Sequence, residues 1–273
     1  MTKPGIYKKM PFAEYCEIPA INNSILARLI SKSPLHAKYM RDGDREDTPA
    51  LSFGRAFHSA VLEPDVFKQE YAVAPKVDRR TKVGKADWLA FQEANSDKEI
   101  LSDSDYQLIA TMAYSVINSH AQDYLTDGDA EVTIIWEDKV TGLLCKMRSD
   151  YVHWNNNIIV DLKTTQDASP SGFSRSMFTY RYHQQAAFYM AGYKAQTGCS
   201  CLFTFIPVEK ASPYALAVYE AGDLTIEAGE NAYKSALLTY KQCVDSGLWP
   251  AYQTEIELLD IPEWALKVEG VQL

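Results

Sequence analysis

The chain has 273 residues and a formal net charge of −9, from 36 acidic and 27 basic side chains. Hydrophobic residues make up 47% of it, and the 17 Tyr and five Trp suit a folded protein rather than a disordered one. The negative charge argues against a protein that coats nucleic acid non-specifically, because such a protein is basic. A nuclease is not excluded, since a local basic stripe can coexist with an acidic metal site.

The cysteines and the apolar segments bear on the compartment. The five Cys form no CxxC pair and are odd in number, which favours free thiols in a reducing environment. No apolar run reaches membrane length, and the N-terminus has no signal-peptide pattern. We therefore expect a cytoplasmic protein that does not contact a membrane.

The first 125 residues are predicted to be mainly helical. A helix capped by Asn23-Ser24 runs to about residue 40, with an interruption at Ser33-Pro34, and the charged segment 41–49 is typical of a surface loop. The segment SFGRAFHSAVLEP has apolar residues at helical spacing, and its proline at position 64 ends the helix.

Two more helices follow in this half of the chain. The basic stretch 74–88 predicts a loop that leads into a helix at about 85–95. Another helix runs from Ser102, a suitable N-cap, to about Leu125.

From about residue 130 onwards, apolar residues recur at every second position, as in a β-strand. AEVTIIWED, LLCKMRSDYVHW and IIVDLKTT predict an antiparallel meander of three strands. A helix ending at Gly198, the strands CLFTFIPVE and YALAVYEA, a helix at about 224–246 and a short amphipathic tail complete the chain. The predicted fold is a mixed α/β core with an N-terminal helical region. We expect one domain, with a helical cap and DNA-contacting loop (1–125), a catalytic core (126–250) and a tail (251–273).

Three acids of the meander carry the candidate chemistry. Glu131, Asp150 and Asp161 each lie on a different strand, so they converge if the strand registers match. Carboxylates that lie close together repel and raise one another's pKa unless a cation neutralises them. Mg²⁺ and similar hard ions prefer such oxygen ligands. The pattern therefore predicts a metal site.

The stretch VDLKTT adds an amine to this site. Asp161 and Lys163 are two residues apart on a strand, so they face the same side, while Leu162 faces the core. We expect a half-buried strand whose acid and amine reach the substrate. The backbone carbonyl of Leu162 remains available as a further metal ligand, and Lys163 can stabilise developing charge or orient a nucleophile.

Together these residues resemble the D…(D/E)-x-K core of the PD-(D/E)XK nuclease superfamily. The chain is also similar to the nuclease domain of the exodeoxyribonuclease VIII family of phage and prophage recombination exonucleases. The likeness includes SPLHAKYMR, FGRAFHSAVLEP, VAPKVDRRTKVGK, WEDKVTGLLCKMRSD, YRYHQQAAFYMAGY and LDIPEWA, in the family's order and over nearly the whole chain.

The resemblance implies roles for particular residues. The metal ligands it implies are His58, Asp150 and Asp161, with Glu131 at the edge of the site and Lys163 as the catalytic lysine. Gln185 and Tyr189 fit a Q-x-x-x-Y motif on one helix face, where they can contact the DNA backbone or brace the lysine.

Candidate DNA contacts come from two segments. The basic stretch offers Arg79, Arg80, Lys82 and Lys85, which could track phosphates or belong to a solvated loop. Thr164 and Thr165 either contact phosphate or only complete the strand.

The resemblance also implies an activity. It implies Mg²⁺-dependent exonuclease action on double-stranded DNA ends (Mn²⁺ being an alternative ion), 5′ to 3′, which leaves a 3′ single strand. It implies a ring-shaped homotetramer and a single-strand annealing recombinase as partner. The open alternatives are an endonuclease or single-strand nuclease of the same superfamily, a non-catalytic DNA-end-binding protein, and a structural phage protein.

Overall fold

The computed structural model of the chain describes residues 2–43, 48–252 and 255–270. The strands within them are β1 (Gly5–Tyr7), β2 (Tyr71–Val73), β3 (Glu99–Leu101), β4 (Asp129–Glu137), β5 (Leu144–His153), β6 (Ile158–Thr165), β7 (Leu202–Glu209) and β8 (Tyr219–Glu220). The helices are α1 (Phe12–Glu17), α2 (Asn23–Ser31), α3 (Pro34–Asp42), α4 (Pro49–Leu62), α5 (Pro64–Glu70), α6 (Lys82–Ala94), α7 (Asp103–Ile117), α8 (Pro170–Thr179), α9 (Tyr182–Thr197), α10 (Asp223–Ser246) and α11 (Glu263–Val268), with a 3₁₀ helix at His120–Leu125.

Six strands form one mixed sheet in the order β1-β4-β5-β6-β7-β8. The pairs β4–β5 and β5–β6 are antiparallel, which confirms the predicted meander. β7 lies parallel to β6, and the connection between them contains α8 and α9, because parallel neighbours require a crossover. The mixed α/β class predicted from the sequence is confirmed.

Helices cover both faces of the sheet. On one face Ile159 of β6 joins a buried cluster with residues of α2, α9 and α10. On the other face Val160 and Leu162 pack with residues of α4 and α7. The prediction of a half-buried β6 is therefore wrong, and even Asp161 is only 1% exposed. A strand with a parallel neighbour is commonly buried on both faces, because the crossover helices cover the sheet.

Two glycines allow α9 to approach its neighbours closely. A Cβ at Gly192 would lie 2.6 Å from the ring of Trp136, and one at Gly229 would lie 2.1 Å from the carbonyl oxygen of His183. The first contact presses α9 against β4, and the second presses α10 against the first turn of α9. This packing fixes α9 beside the end of β6.

Helix ends differ from the sequence prediction in detail. Asn22, rather than Asn23-Ser24, caps α2, because its side chain accepts a hydrogen bond from the backbone N–H of Ile25 at 3.0 Å. The predicted interruption at Ser33 is confirmed, since Ser33 caps the separate helix α3. Thr48 caps α4, which begins at Pro49, three residues before the start of the predicted segment, and Pro64 begins α5 besides ending α4.

Several short elements were not predicted: β1, α1, α5, α8, β2 and β3. α6 begins inside the predicted basic loop, α7 ends at Ile117 with a 3₁₀ helix after it, and β8 has two residues where a longer strand was expected. Residues 44–47 of the predicted loop, and residues 253–254 and 271–273 of the predicted tail, lie outside the described residues.

Two further sequence inferences concern thiols and membranes. All five cysteines are free, as predicted. In the part of the chain that the structure describes, no helix has the length and apolar character needed to span a bilayer.

Candidate active site

Glu131 on β4 and Asp150 on β5 lie opposite each other. Ala130 pairs with Tyr151, and the antiparallel register then sets Glu131 against Asp150. The ladder skips this pair, and Glu131 has a φ of 53°. A left-handed conformation costs a non-glycine residue roughly 1–2 kcal/mol, and such strain clusters at functional sites, where neighbouring contacts enforce it. The distortion thus lies where the two carboxylates meet.

A second irregularity separates β5 from β6. The ladder between them pairs Tyr151 with Val160 and stops before it reaches Asp150 and Asp161. The Asp150 carboxylate enters this gap, and its Oδ2 accepts a hydrogen bond from the backbone N–H of Leu162 at 2.7 Å. The carboxylate takes the place of a ladder acceptor, so the backbone of β6 holds Asp150 in position.

His58 reaches the same point from α4. Its Nδ1 lies 3.4 Å from Oδ1 of Asp150. One potential ligand atom from each of His58, Glu131 and Asp150 lies within 4.8 Å of the others. Imidazole nitrogen and carboxylate oxygen are common ligands of divalent metals, so this donor set fits such a cation.

The charged side chains of this group shift one another's pKa values. Burial, and then the charge of Asp150, raises the pKa of Glu131. Burial would also raise the pKa of Asp150, but His58, Lys163 and the Leu162 N–H outweigh it and lower that pKa. Burial opposes a charged His58, yet Asp150 outweighs it and raises the His58 pKa. Positive charge therefore stabilises the paired carboxylates, as a bound cation would.

Asp161 and Lys163 form an ion pair beside this group. Lys163 Nζ lies 2.5 Å from Asp161 Oδ2, which confirms that the two side chains share a side of β6. Gln185 of α9 donates from Nε2 to Asp161 Oδ1 at 2.6 Å. Burial raises the pKa of Asp161 to about 6. Burial lowers the pKa of Lys163, but Asp161 and Asp150 outweigh it and raise that pKa, so the amine stays an ammonium.

The predicted metal ligands do not all come together. His58, Glu131 and Asp150 share one point, whereas the Asp161 oxygens contact Lys163 and Gln185. Metal ligation by Asp161 and by the Leu162 carbonyl stays a prediction. Glu131, which the pattern of acids placed in the metal site and the family resemblance placed at its edge, is one of the three clustered donors.

Tyr189 lies one turn after Gln185 on α9. It is half-buried, its ring meets that of Phe203 edge-on at 6.3 Å, and this partial burial raises the pKa of its hydroxyl well above the usual value. A side-chain hydrogen bond links it to Gln185. The Q-x-x-x-Y pair thus braces Asp161, and through it Lys163.

An open cleft of about 1870 Å³ leads to the acidic group. His58, Glu131, Asp150 and Tyr189 line it, together with residues of the N-terminal segment 8–28. Basic side chains contribute to its walls, among them Lys8, Lys9, Arg28 and Arg55. Acidic side chains such as Glu17, Glu63 and Glu70 line it as well, and the cleft gives access to the three donors.

Two site residues were missed from the sequence. Arg148 Nε lies 2.5 Å from Glu131 Oε2, and its Nη1 donates to the carbonyl of Met10 at 2.6 Å. Arg148 precedes Asp150 by two residues, the same spacing as Asp161 and Lys163, and that spacing was the available signal. The ring of Tyr182 lies 4.8 Å from Lys163 Nζ, and no local sequence pattern predicts this contact.

The four basic residues expected to contact DNA lie at the start of α6 or just before it: Arg79, Arg80, Lys82 and Lys85. Arg79 lies over the ring of Trp88 at 4.3 Å, and Arg80 pairs with Asp78 at 3.0 Å. None of the four lines the cleft, so their contact with DNA stays a prediction.

The two threonines at the end of β6 differ in environment. Thr165 is buried, and its hydroxyl donates to the carbonyl of Asp167 at 3.2 Å and accepts from the Asp167 N–H at 3.3 Å. These bonds complete the strand end. Thr164 is half-buried, and its contact with phosphate also stays a prediction.

Comparison with known families agrees with this geometry. Residues 24–262 match the model of a family described as a PDDEXK-like domain of unknown function (DUF3799). The chain belongs to this family. The description of this family confirms the PD-(D/E)XK resemblance read from the sequence, and the matched range contains His58, the three meander acids and Lys163.

One solved structure shows the same fold. A crystal structure from Eubacterium rectale, named “Putative exonuclease”, aligns with 95% of this chain and 98% of its own chain, with a TM-score of 0.63 and 12% identity. At that identity the likeness shows the fold alone. The structure of SSO0001 covers 91% of this chain and 100% of its own at 15% identity, but its TM-score of 0.38 carries no argument. A search of curated proteins found no match.

The donor set predicts stabilisation by divalent cations. Mn²⁺ or Mg²⁺ should raise the melting temperature of the wild-type protein, because binding adds to the free energy of unfolding, by about 2.7 kcal/mol at a concentration 100 times the Kd. Asp150→Asn should abolish most of this shift because it removes a central ligand. Thermal melts at increasing cation concentration measure both.

The matched control is Asp65→Asn, which removes an exposed carboxylate that pairs with Lys68. This variant should keep the wild-type shift. An equal shift in Asp150→Asn and in the wild type would contradict a metal site at these residues.

Proposed function

We propose that the chain is a metal-dependent deoxyribonuclease that degrades double-stranded DNA from its ends. The observation that carries this proposal is the joining of a three-donor group to a lysine–aspartate pair through the Asp150–Leu162 hydrogen bond. Membership of a PDDEXK-like family supports hydrolysis of a phosphodiester as the reaction.

His58, Glu131 and Asp150 would hold the cation, for which Mg²⁺ is proposed and Mn²⁺ is an alternative. When bound there, such a cation would lower the pKa of a water molecule and would neutralise charge on a phosphoryl oxygen. Arg148 keeps Glu131 directed towards Asp150 through its ion pair. Lys163 and the side chains around it would stabilise the negative charge that develops during hydrolysis.

Lys163 acts as a positive charge rather than as a base. Its neighbours raise its pKa, so at neutral pH it carries a proton that can hydrogen-bond a scissile phosphate oxygen. In hydrolysis a water oxygen bonds to phosphorus while the bond from phosphorus to the leaving oxygen breaks, and negative charge grows on the phosphoryl oxygens. A fixed ammonium stabilises that charge without reorganising.

Asp161 and Gln185 position the ammonium. Asp161 holds Lys163 directly, and Gln185 holds the other carboxylate oxygen from α9. Because both oxygens of Asp161 are engaged, the carboxylate cannot rotate freely, and the lysine keeps its direction.

The finer features of the activity rest on the sequence resemblance to the exodeoxyribonuclease VIII family. These are 5′-to-3′ polarity, a 3′ single-stranded product, a ring-shaped homotetramer and a partner that anneals single strands. A ring with a basic lumen would suit an acidic chain, since its negative exterior avoids non-specific DNA. A monomer in sedimentation velocity at working concentration would contradict the ring.

The activity predicts a specific cleavage pattern. With Mg²⁺ the purified protein should shorten linear duplex DNA from its 5′ ends, leave covalently closed circles intact, and lose activity in EDTA. Lys163→Ala should lower the rate by about 10² or more, the usual effect of removing one fixed donor to a developing oxyanion. Gels of duplexes labelled at either end measure polarity and rate together.

Lys139→Ala is the matched control, because it removes an exposed lysine in the turn between β4 and β5. Its rate should equal that of the wild type. Full activity of Lys163→Ala, or cutting in EDTA, would overturn the mechanism. Cutting of closed circles would indicate an endonuclease, and binding to ends without cleavage would indicate an end-binding protein.

The basic segment before and within α6 predicts a salt effect. Changing its four basic residues to Gln should weaken duplex binding and flatten the plot of log K against log salt by about 0.9 for each phosphate that the segment neutralises. The control changes four exposed lysines elsewhere to Gln: Lys139, Lys194, Lys234 and Lys267. Anisotropy titrations in EDTA measure both variants. An identical slope for the two variants would exclude a specific role of the segment.

A further inference from the structure

The connection from α8 to α9 exposes aromatic side chains close to Lys163. Phe178, in the last turn of α8, is 72% exposed, and Tyr180 is 64% exposed. Large aromatic side chains usually bury most of their surface, and two of them exposed within three residues form an unusual apolar patch. We define the aromatic platform as Phe178 and Tyr180.

The platform is joined to the catalytic lysine through Tyr182. The rings of Tyr180 and Tyr182 stack at 5.6 Å with an interplanar angle of 30°. The Tyr182 ring in turn lies 4.8 Å from Lys163 Nζ. Tyr182 also contacts the rings of Phe173 and Phe205 at 6.1 and 6.3 Å, which anchors it to the core. Tyr180 is thus held at a fixed distance from the site.

The backbone at Arg181 creates this arrangement. Arg181 has a φ of 61°, so the chain turns sharply between the two helices, and its carbonyl accepts the Gln185 N–H at 3.1 Å. The turn brings Tyr180 against Tyr182. It also lets the Phe178 ring stack on His183, at 5.9 Å and 14°.

The charge around the platform complements a nucleic acid strand. The chain carries a net charge of −9, yet it has no acidic residue between Asp167 and Glu209. Arg175 and Arg181 flank the aromatic side chains within this interval. These two arginines could meet phosphates, while the rings offer flat apolar surfaces. The helix α10, which packs against the first turn of α9, carries the acids Asp223 and Glu227. Alternating cations and stacking rings are the recurring features of surfaces that bind single strands.

We propose that the aromatic platform stacks on unpaired bases of the DNA strand whose phosphate lies at Lys163, a role that rests on the function proposed above. The contacts through Tyr182 place Tyr180 within about three nucleotides of the scissile phosphate, at roughly 3.4 Å per nucleotide of a stacked strand. Base faces are accessible only where pairing is broken. The substrate form that occupies the site is therefore an opened, single-stranded end of the duplex.

A fluorescence and binding experiment tests this directly, on the full chain in EDTA so that no DNA is cut. The probe is a short single-stranded oligonucleotide with 2-aminopurine among its terminal three nucleotides. The wild type should quench the probe by stacking. Phe178→Ala combined with Tyr180→Ala should abolish the quenching and weaken binding about tenfold. Tyr180→Trp should retain both, because any large ring can stack.

Two controls separate stacking from folding and from phosphate binding. Tyr114→Ala removes an equally exposed tyrosine on α7 and should bind like the wild type. An oligonucleotide with abasic terminal nucleotides offers no ring to stack on, so the wild type and the double variant should bind it equally.

The outcomes also distinguish this inference from the proposed function. The platform does not stack on bases if the double variant binds and quenches like the wild type, a result that would favour a protein as the partner of the patch. The same conclusion follows if the double variant loses as much affinity for abasic DNA as for the intact oligonucleotide. If the wild type quenches the probe but hydrolyses no DNA with Mg²⁺ or Mn²⁺, the nuclease proposal fails and base stacking stands.

Discussion

The hydrogen bond from the Leu162 N–H to the Asp150 carboxylate joins the two parts of the candidate active site. On one side Asp150 meets His58 and Glu131, and on the other Leu162 lies between Asp161 and Lys163. The bond forms because the ladder between β5 and β6 stops before Asp150, which leaves a backbone donor for the side chain. A slip of one residue in β6 would turn the acid and the amine to the opposite face of the sheet.

This gap between strands lets helices on opposite faces act on one site. α4 supplies His58 from one face, and α9 supplies Gln185 from the other. A charged pair buried between two layers is costly unless its hydrogen bonds are satisfied. Lys163 pairs electrostatically with one oxygen of Asp161 and Gln185 donates a hydrogen bond to the other, so the contacts that position the amine also offset part of the cost of burying the carboxylate.

Features that depend on the local spacing of residues along a strand were predicted correctly from the sequence. Features that depend on packing between distant segments were not. Alternation placed Glu131, Asp150 and Asp161 on three paired strands, and two-residue spacing placed Lys163 beside Asp161. The coverage of both faces of β6 was missed, although the unbroken apolar run 158–160 was a signal for it. Neither the left-handed Glu131 nor the contact of Tyr182 with Lys163 follows from spacing, because each is imposed by distant parts of the chain.

Locating a bound cation would show most directly whether His58, Glu131 and Asp150 form a metal site. Crystals grown with Mn²⁺, with anomalous scattering recorded at its absorption edge, would show where the ion binds. A peak should lie at coordination distance, roughly 2.0–2.3 Å, from a His58 nitrogen and from oxygens of Glu131 and Asp150. A peak held by other residues, or no peak at a Mn²⁺ concentration that supports DNA hydrolysis, would contradict this prediction.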